Sequence, residues 1–342
     1  MTEKFRVGLT RDLLTSDGKP SFGAEPLQLL DDMASIEWEY LSNVCREISA
    51  EQASRYDALY IAGATVPASA VADPMIRVKL IARHGVGFDA VDVAAMTAHG
   101  VLVTNTPVAV RRPVATAALT LLLALAHKLL AKDRLTRGGR WVERTSHMGI
   151  GLTGRTFGIV GAGSIGKETL RLVHALDMRL LAADPYADAA DLASLGARLI
   201  SLDELLTEAD FVCITCVLTR ETRHLIDGRA LQRMKPSAHL INVARGPIID
   251  EAALIDALAC GRIAGAALDV FAAEPIPADH PLLAMDNVIV TPHSLCWTDE
   301  CFAAIAREGL ASVVAVARRR PPETIVNPEA MAHPRLQDWF GY

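Results

Sequence analysis

The hexapeptide Gly161-Ala162-Gly163-Ser164-Ile165-Gly166 constrains this chain more than any other segment. A G-x-G-x-x-G string recurs by chance. Here, though, the apolar run Thr156 to Val160 leads in and an amphipathic helical pattern from Ser164 leads out. In a strand–turn–helix, Gly161 allows the tight turn, Gly163 lets the backbone approach a pyrophosphate, and Gly166 lets helix and strand pack closely. Ser164 and Ile165 then open a helix whose N–H groups and dipole favour phosphate. The next strand pattern, MRLLAADPY, ends on Asp184, near the ~20-residue offset of a carboxylate that binds the adenosine ribose hydroxyls. Such a carboxylate repels a 2′-phosphate, and no arginine follows it directly, so NAD is expected rather than NADP.

The rest of the chain repeats the same kind of unit. FRVGLT, YDALYIAG, VKLIARHG and GVLVTNTP alternate with helix-length stretches over the first hundred residues, the pattern of a parallel sheet. From Pro113 a long helix is expected, with Pro113 in its first turn and Gly138-Gly139 at its end. A second series comes next with RLLAADPYA, ADFVCITCVLT, AHLINVARG, IAGAALDVF and NVIVTPH, and a last helical stretch runs from Asp299 to Arg318. The expectation is an α/β chain of two doubly wound, parallel-sheet (Rossmann-like) domains with a cleft between them. The last helix rejoins the first domain.

Charge and cysteine use narrow the class. A net charge of −6 argues against binding nucleic acid by bulk electrostatics. The longest apolar run, Ala117 to Ala126, falls short of the ~20 residues of a membrane span, so it reads as a buried helix. No secretory signal pattern opens the sequence, and six scattered cysteines fit a reduced, cytoplasmic setting. Cys213 and Cys216 have the C-x-x-C spacing, but residues three apart on a strand face opposite ways, so no metal site is expected there.

Three polar residues stand where later strands of the second series run out. Arg245 follows LINVA, Glu274 follows ALDVFAA, and His293 follows NVIVTP. In an open α/β sheet that edge is where ligands bind. A guanidinium at the tip of an apolar strand is costly to bury unless an anion meets it. His293 titrates near neutral pH and can pass a proton both ways, and a neighbouring carboxylate such as Glu274 favours its charged form. In the first series, Gly85, Val86 and Gly87 lie at a strand end where backbone N–H groups can cradle a carboxylate, with Asp89 expected to cap the next helix.

The ordered set GVGFDAVD, NTP, GIVGAGSIGK, INVARGPIIDEAAL, ALDVFAAEP and NVIVTPH, spanning about Leu80 to Asn327, resembles the D-isomer-specific 2-hydroxyacid dehydrogenases. That resemblance implies that the family's catalytic Arg, Glu and His fall on Arg245, Glu274 and His293, and that Asp269 joins the cofactor-binding residues. It further implies a discontinuous substrate domain (residues 1–104 and 297–342) around an inserted NAD-binding domain (105–296), and a homodimer formed through the latter. The chain departs from the common family pattern at Ala90, at Val114-Ala115-Thr116 and at Thr215–Thr219, which weakens transfer of any one member's substrate.

The expected activity is hydride transfer between NAD and a small (R)-2-hydroxy or 2-oxo acid. In it His293 is the general acid–base paired with Glu274, and Arg245 binds the substrate carboxylate and polarises the carbonyl. Arg111 and Arg112, read as a loop after NTP, are candidates for a second acidic group, and Trp297 for a pocket wall. Two other readings stand beside this one, an NAD(H)-sensing, corepressor-like protein and a formate- or phosphite-type dehydrogenase on the same fold.

Overall fold

The computed structural model of the chain describes residues 3–73 and 75–342. These divide into two compact units, one made of residues up to Val110 with Trp297–Tyr342, the other of Arg111–Cys296.

The first unit holds a parallel sheet of β1 (Phe5–Leu9), β2 (Ile36–Tyr40), β3 (Ala58–Ile61), β4 (Leu80–Arg83) and β5 (Leu102–Thr104), in the order β2-β1-β3-β4-β5. Both faces are covered at β3 and β5, which are buried along their whole length, whereas the edge strand β2 alternates, with Glu37 and Glu39 exposed. In β3, Ala58 and Tyr60 join one core with Leu310 and Val313 of the helix Asp299–Ala317, while Leu59 and Ile61 join the opposite core with Val71 and Met96. The last helix thus belongs to the first sheet. The returning chain also completes the edge strand: buried Asn327 accepts from the Val103 N–H at 2.8 Å and donates to the Val101 carbonyl at 3.0 Å.

The second unit holds seven parallel strands: β6 (Thr156–Val160), β7 (Arg179–Ala183), β8 (Ala197–Leu199), β9 (Phe211–Ile214), β10 (His239–Asn242), β11 (Gly265–Leu268) and β12 (Val288–Val290). Their order is β12-β11-β10-β9-β6-β7-β8. The direction of winding reverses between β6 and β9, which makes the carboxyl ends of those strands the natural ligand crevice. Cores again lie on both faces, with Val212 and Ile214 of β9 in one and Phe211 and Cys213 in the other.

Three local expectations change. The long helix begins at Pro107, not Pro113, and ends at Ala126; Lys128, in the left-handed region at φ 51°, separates it from a second helix, Leu129–Arg137. Pro107 rather than Pro113 takes the first-turn position that suits proline. The N–H groups of Val108 and Ala109 are capped from a distance by the Glu308 carboxylate at 3.4 and 2.8 Å. That cap binds the first turn to the first unit, which runs to Val110. At 20 residues the helix is long and apolar enough to cross a membrane by length and composition alone. Ala118, Leu121, Leu122 and Leu125 nevertheless pack on Phe157 and Ile159 of β6. Finally, the helix after the GVGFD turn is Val93–Ala98, capped by Asp92 accepting from the Ala95 N–H at 2.9 Å, because a turn closed by Val91 N–H on Phe88 O delays its start past Asp89.

Candidate active site

At the switch point of the second sheet, Gly161 follows β6 with φ 94°, and a Cβ there would meet the Cys216 backbone at 2.5 Å. Only glycine takes that turn while β9 passes so close. The helix Ser164–His174 begins at Gly163 with no side-chain cap among the described residues, which leaves the amides of Ser164 and Ile165 to an external acceptor. Its inner face, Gly166, Thr169, Leu170 and Val173, is buried at helical spacing. Asp184, one residue past β7, accepts from the Ala162 N–H at 2.7 Å and from the Tyr186 N–H at 2.9 Å. One carboxylate therefore shapes the glycine turn and keeps lone pairs for a diol. The residues present fit a dinucleotide: unpaired amides at a helix start, a turn no side chain can fill, and an anchored acid with no lysine or arginine before Arg198.

At the carboxyl ends of β10, β11 and β12 stand the three polar residues. β10 stops at Asn242, two residues before the sequence pattern ends. The fully buried Asn242 side chain is the reason. It accepts from the Ala244 N–H and donates to the Arg245 carbonyl, both at 3.0 Å, and so folds the chain out of the sheet. Arg245 comes next, its Nη1 donating to the Ala244 carbonyl at 2.8 Å. Gly246 then lies so near the turn beyond β11 that a Cβ would sit 1.9 Å from the Phe271 carbonyl carbon. That approach brings the Arg245 turn against the Glu274 turn.

Glu274 is held at both oxygens. Oε1 accepts from the Phe271 N–H at 2.9 Å, and Oε2 lies 2.6 Å from His293 Nδ1. Burial alone would raise the Glu274 carboxyl. The His293 and Phe271 hydrogen bonds and the charges of His293 and Arg245 outweigh it and keep the carboxyl below its ordinary range. The Glu274 bond raises the His293 imidazole above its ordinary value, against burial and the Arg245 charge, with Asp269 adding to the rise.

His293 sits at φ 53°, a strained conformation for a side chain of its size, and Asp269 holds it there. Buried at the end of β11, the Asp269 carboxylate accepts from Thr291 Oγ1 at 2.6 Å, from the Ser294 N–H at 3.1 Å and from the Leu295 N–H at 3.2 Å. Sequence reasoning assigned Asp269 a cofactor role by resemblance and missed this grip on the histidine loop; an acid inside the apolar run ALDVF was the available signal.

In the first unit, Gly85, Val86 and Gly87 follow β4. Among the described residues, the N–H groups of Val86 and Gly87 meet no acceptor. Arg111 and Arg112 lie in the helix Pro107–Ala126, not a loop, and Arg112 pairs with Glu168 at 2.7 Å beside Arg171 at 2.9 Å. Arg112 is thereby tied to the glycine-loop helix. Trp297 is exposed, its ring edge-on to Phe302 at 5.0 Å.

The sequence profile of the D-isomer specific 2-hydroxyacid dehydrogenase NAD-binding domain matches residues 119–294. A D-3-phosphoglycerate dehydrogenase of Archaeoglobus fulgidus is 35% identical over 308 residues, which are 89% of this chain and 58% of that protein. The chain thus spans little more than half of that relative's length. A glyoxylate reductase of Thermococcus onnurineus is 37% identical over 317 residues, 89% of this chain and 93% of that one. The crystal structure of a glyoxylate reductase from Paecilomyes thermophila superposes with a TM-score of 0.80 at 26% identity, covering 96% of this chain and 99% of that one.

Proposed function

Because the chain belongs to the D-isomer-specific 2-hydroxyacid dehydrogenases and carries their NAD-binding domain, we propose that it interconverts a small 2-oxo acid and its (R)-2-hydroxy acid. The observation that carries this reading is the His293–Glu274 bond at the sheet edge that also carries Arg245. Bound nicotinamide supplies or accepts the hydride. His293 Nε2, opposite the nitrogen fixed by Glu274, gives the proton to the carbonyl oxygen and takes it back in the reverse direction. Arg245 binds the substrate carboxylate and polarises the carbonyl, a fork-shaped contact that Lys reproduces poorly. In the first unit, the Val86 and Gly87 amides are donors suited to a substrate carboxylate. Asp184 selects NAD over NADP.

The test is NADH and NADPH oxidation across glyoxylate, hydroxypyruvate, pyruvate, 2-oxoglutarate and a phosphorylated 2-oxo acid, with formate and phosphite tried in the oxidative direction. Turnover of a 2-oxo acid with NADH supports the reading. NADH binding without turnover of any of them sinks it and favours a sensor.

The same proposal includes a homodimer formed through the second unit. Leu129, Leu130, Trp141, Val142 and Met148 are all exposed within twenty residues, an apolar surface that a second copy would cover. Trp141→Asp with Val142→Asp should convert a dimer to monomer in light scattering; a monomeric parent protein would end the idea.

A further inference from the structure

The loop Gly85–Val86–Gly87 is held by its carbonyls. The Gly85 carbonyl accepts from the Thr106 N–H at 3.1 Å, and the Gly85 N–H donates to Thr106 Oγ1 at 3.1 Å. The Val86 carbonyl accepts from Asn105 Nδ2 at 2.8 Å. The Gly87 carbonyl accepts from Arg83 Nε at 3.1 Å, while Arg83 Nη1 donates to the Ala62 carbonyl at the end of β3. Three successive carbonyls are thus engaged, each by a different residue.

A trans peptide is planar, with the N–H of one residue antiparallel to the carbonyl of the residue before it. Drawing the Gly85 carbonyl toward Thr106 therefore turns the Val86 N–H away from Thr106. Drawing the Val86 carbonyl toward Asn105 turns the Gly87 N–H away from Asn105. These are the two amides that meet no acceptor among the described residues. Asn105 is itself fixed, because its backbone carbonyl accepts from Thr324 Oγ1 at 2.7 Å on the returning chain.

We propose that Asn105 is a positioning residue for substrate binding: its carboxamide locks the Val86 carbonyl so that the Val86 and Gly87 amides stay aimed at the carboxylate of a 2-oxo acid. This rests on the proposed function, in which those amides receive that carboxylate. Preorganised donors bind an anion without ordering cost, so their loss falls on substrate affinity and not on the proton or hydride steps.

The experiment compares the full-length parent protein with Asn105→Ala and Asn105→Asp, using steady-state kinetics with the best 2-oxo acid and calorimetric binding of oxamate to the protein–NADH complex. Asn105→Ala should raise KM and weaken oxamate binding about three- to tenfold, as the loss of one hydrogen bond implies. Its kcat should stay within about twofold, with NADH affinity unchanged and the melting temperature lowered by only a few degrees. Asn105→Asp should be worse at neutral pH, because an ionised carboxylate facing the Val86 carbonyl has no hydrogen to donate. Unchanged KM and oxamate affinity in folded variants overturn the proposal while leaving the dehydrogenase reading intact. So does a parallel loss of kcat, NADH affinity and melting temperature. A parent protein that neither reduces a 2-oxo acid nor binds oxamate removes both.

Discussion

His293 Nδ1 and Glu274 Oε2 lie 2.6 Å apart, and that bond leaves Nε2 as the ring nitrogen not committed to the carboxylate. In the proposed reaction Nε2 is then the atom that exchanges the proton, and the charged imidazole is favoured at the same time.

The pairing has a pH consequence. In the proposed reaction, reduction of a 2-oxo acid needs protonated His293, so kcat/KM should fall as pH rises through its pKa, which the Glu274 bond holds above the ordinary histidine value. Glu274→Gln removes the largest raising influence, so the alkaline fall in reduction moves to lower pH. Oxidation of the hydroxy acid needs the neutral ring, and its rise with pH moves the same way. Superimposable pH profiles for the two proteins would show that Glu274 does not set this titration.

Arg245 acts on both members of the pair, because its charge depresses the titration of Glu274 and of His293. Arg245→Lys keeps the charge and loses the planar fork. A charge-assisted bond is worth ~1.5–3 kcal/mol, so kcat/KM should fall roughly 10- to 100-fold with NADH affinity unchanged. A lysine variant with near-parent kcat/KM would mean that only charge matters at this position.

Asp269 offers a sharper test, since its oxygens grip the loop that bears His293. Asp269→Asn removes a charge that raises the His293 pKa and turns an amide N–H toward donors. We expect kcat to drop by about 10²-fold, the scale of a misplaced general acid, with the reductive pH profile moved to lower pH. NADH affinity, measured by fluorescence, should change little. Loss of NADH affinity with kcat preserved would assign Asp269 to the cofactor alone.

The glycine turn and its flanking strand and helix were legible from residues 156 to 166, because local spacing alone fixes them. The positions of Arg245, Glu274 and His293 at strand ends were legible for the same reason: strands read as apolar runs, and the residues just past such runs gather along one edge of a parallel sheet. Contacts made across long separations escaped. Glu308 caps a helix about two hundred residues earlier in the chain and thereby moves that helix's start to Pro107. Asp92 replaces Asp89 as a cap because one turn intervenes, a shift smaller than side-chain preference can resolve. Asn242 ends β10 through its own side chain, an option that an apolar run conceals.

His84, just before the Gly85–Gly87 loop, ties the stability of the first unit to pH. Its ring lies among Phe22, Tyr60 and Phe302, its Nδ1 is 2.5 Å from Tyr60 Oη, and burial with the nearby Arg83 charge pushes its pKa down to about 3. The unfolded chain takes up a proton on this residue below pH ~6.5, whereas the folded chain holds it neutral until about pH 3. Between those values the unfolded state binds more protons, so stability falls as pH falls, by up to ~1.4 kcal/mol per unit; above pH ~6.5 the residue contributes no pH dependence. At pH 5 this amounts to roughly 2 kcal/mol. His84→Gln keeps an acceptor for Tyr60 and removes the titration. Its stability deficit against the parent should therefore be largest at pH 7 and shrink or reverse at pH 5, read from urea unfolding at the two values. If parent and variant lose stability in parallel between pH 7 and pH 5, His84 is not held neutral by the fold.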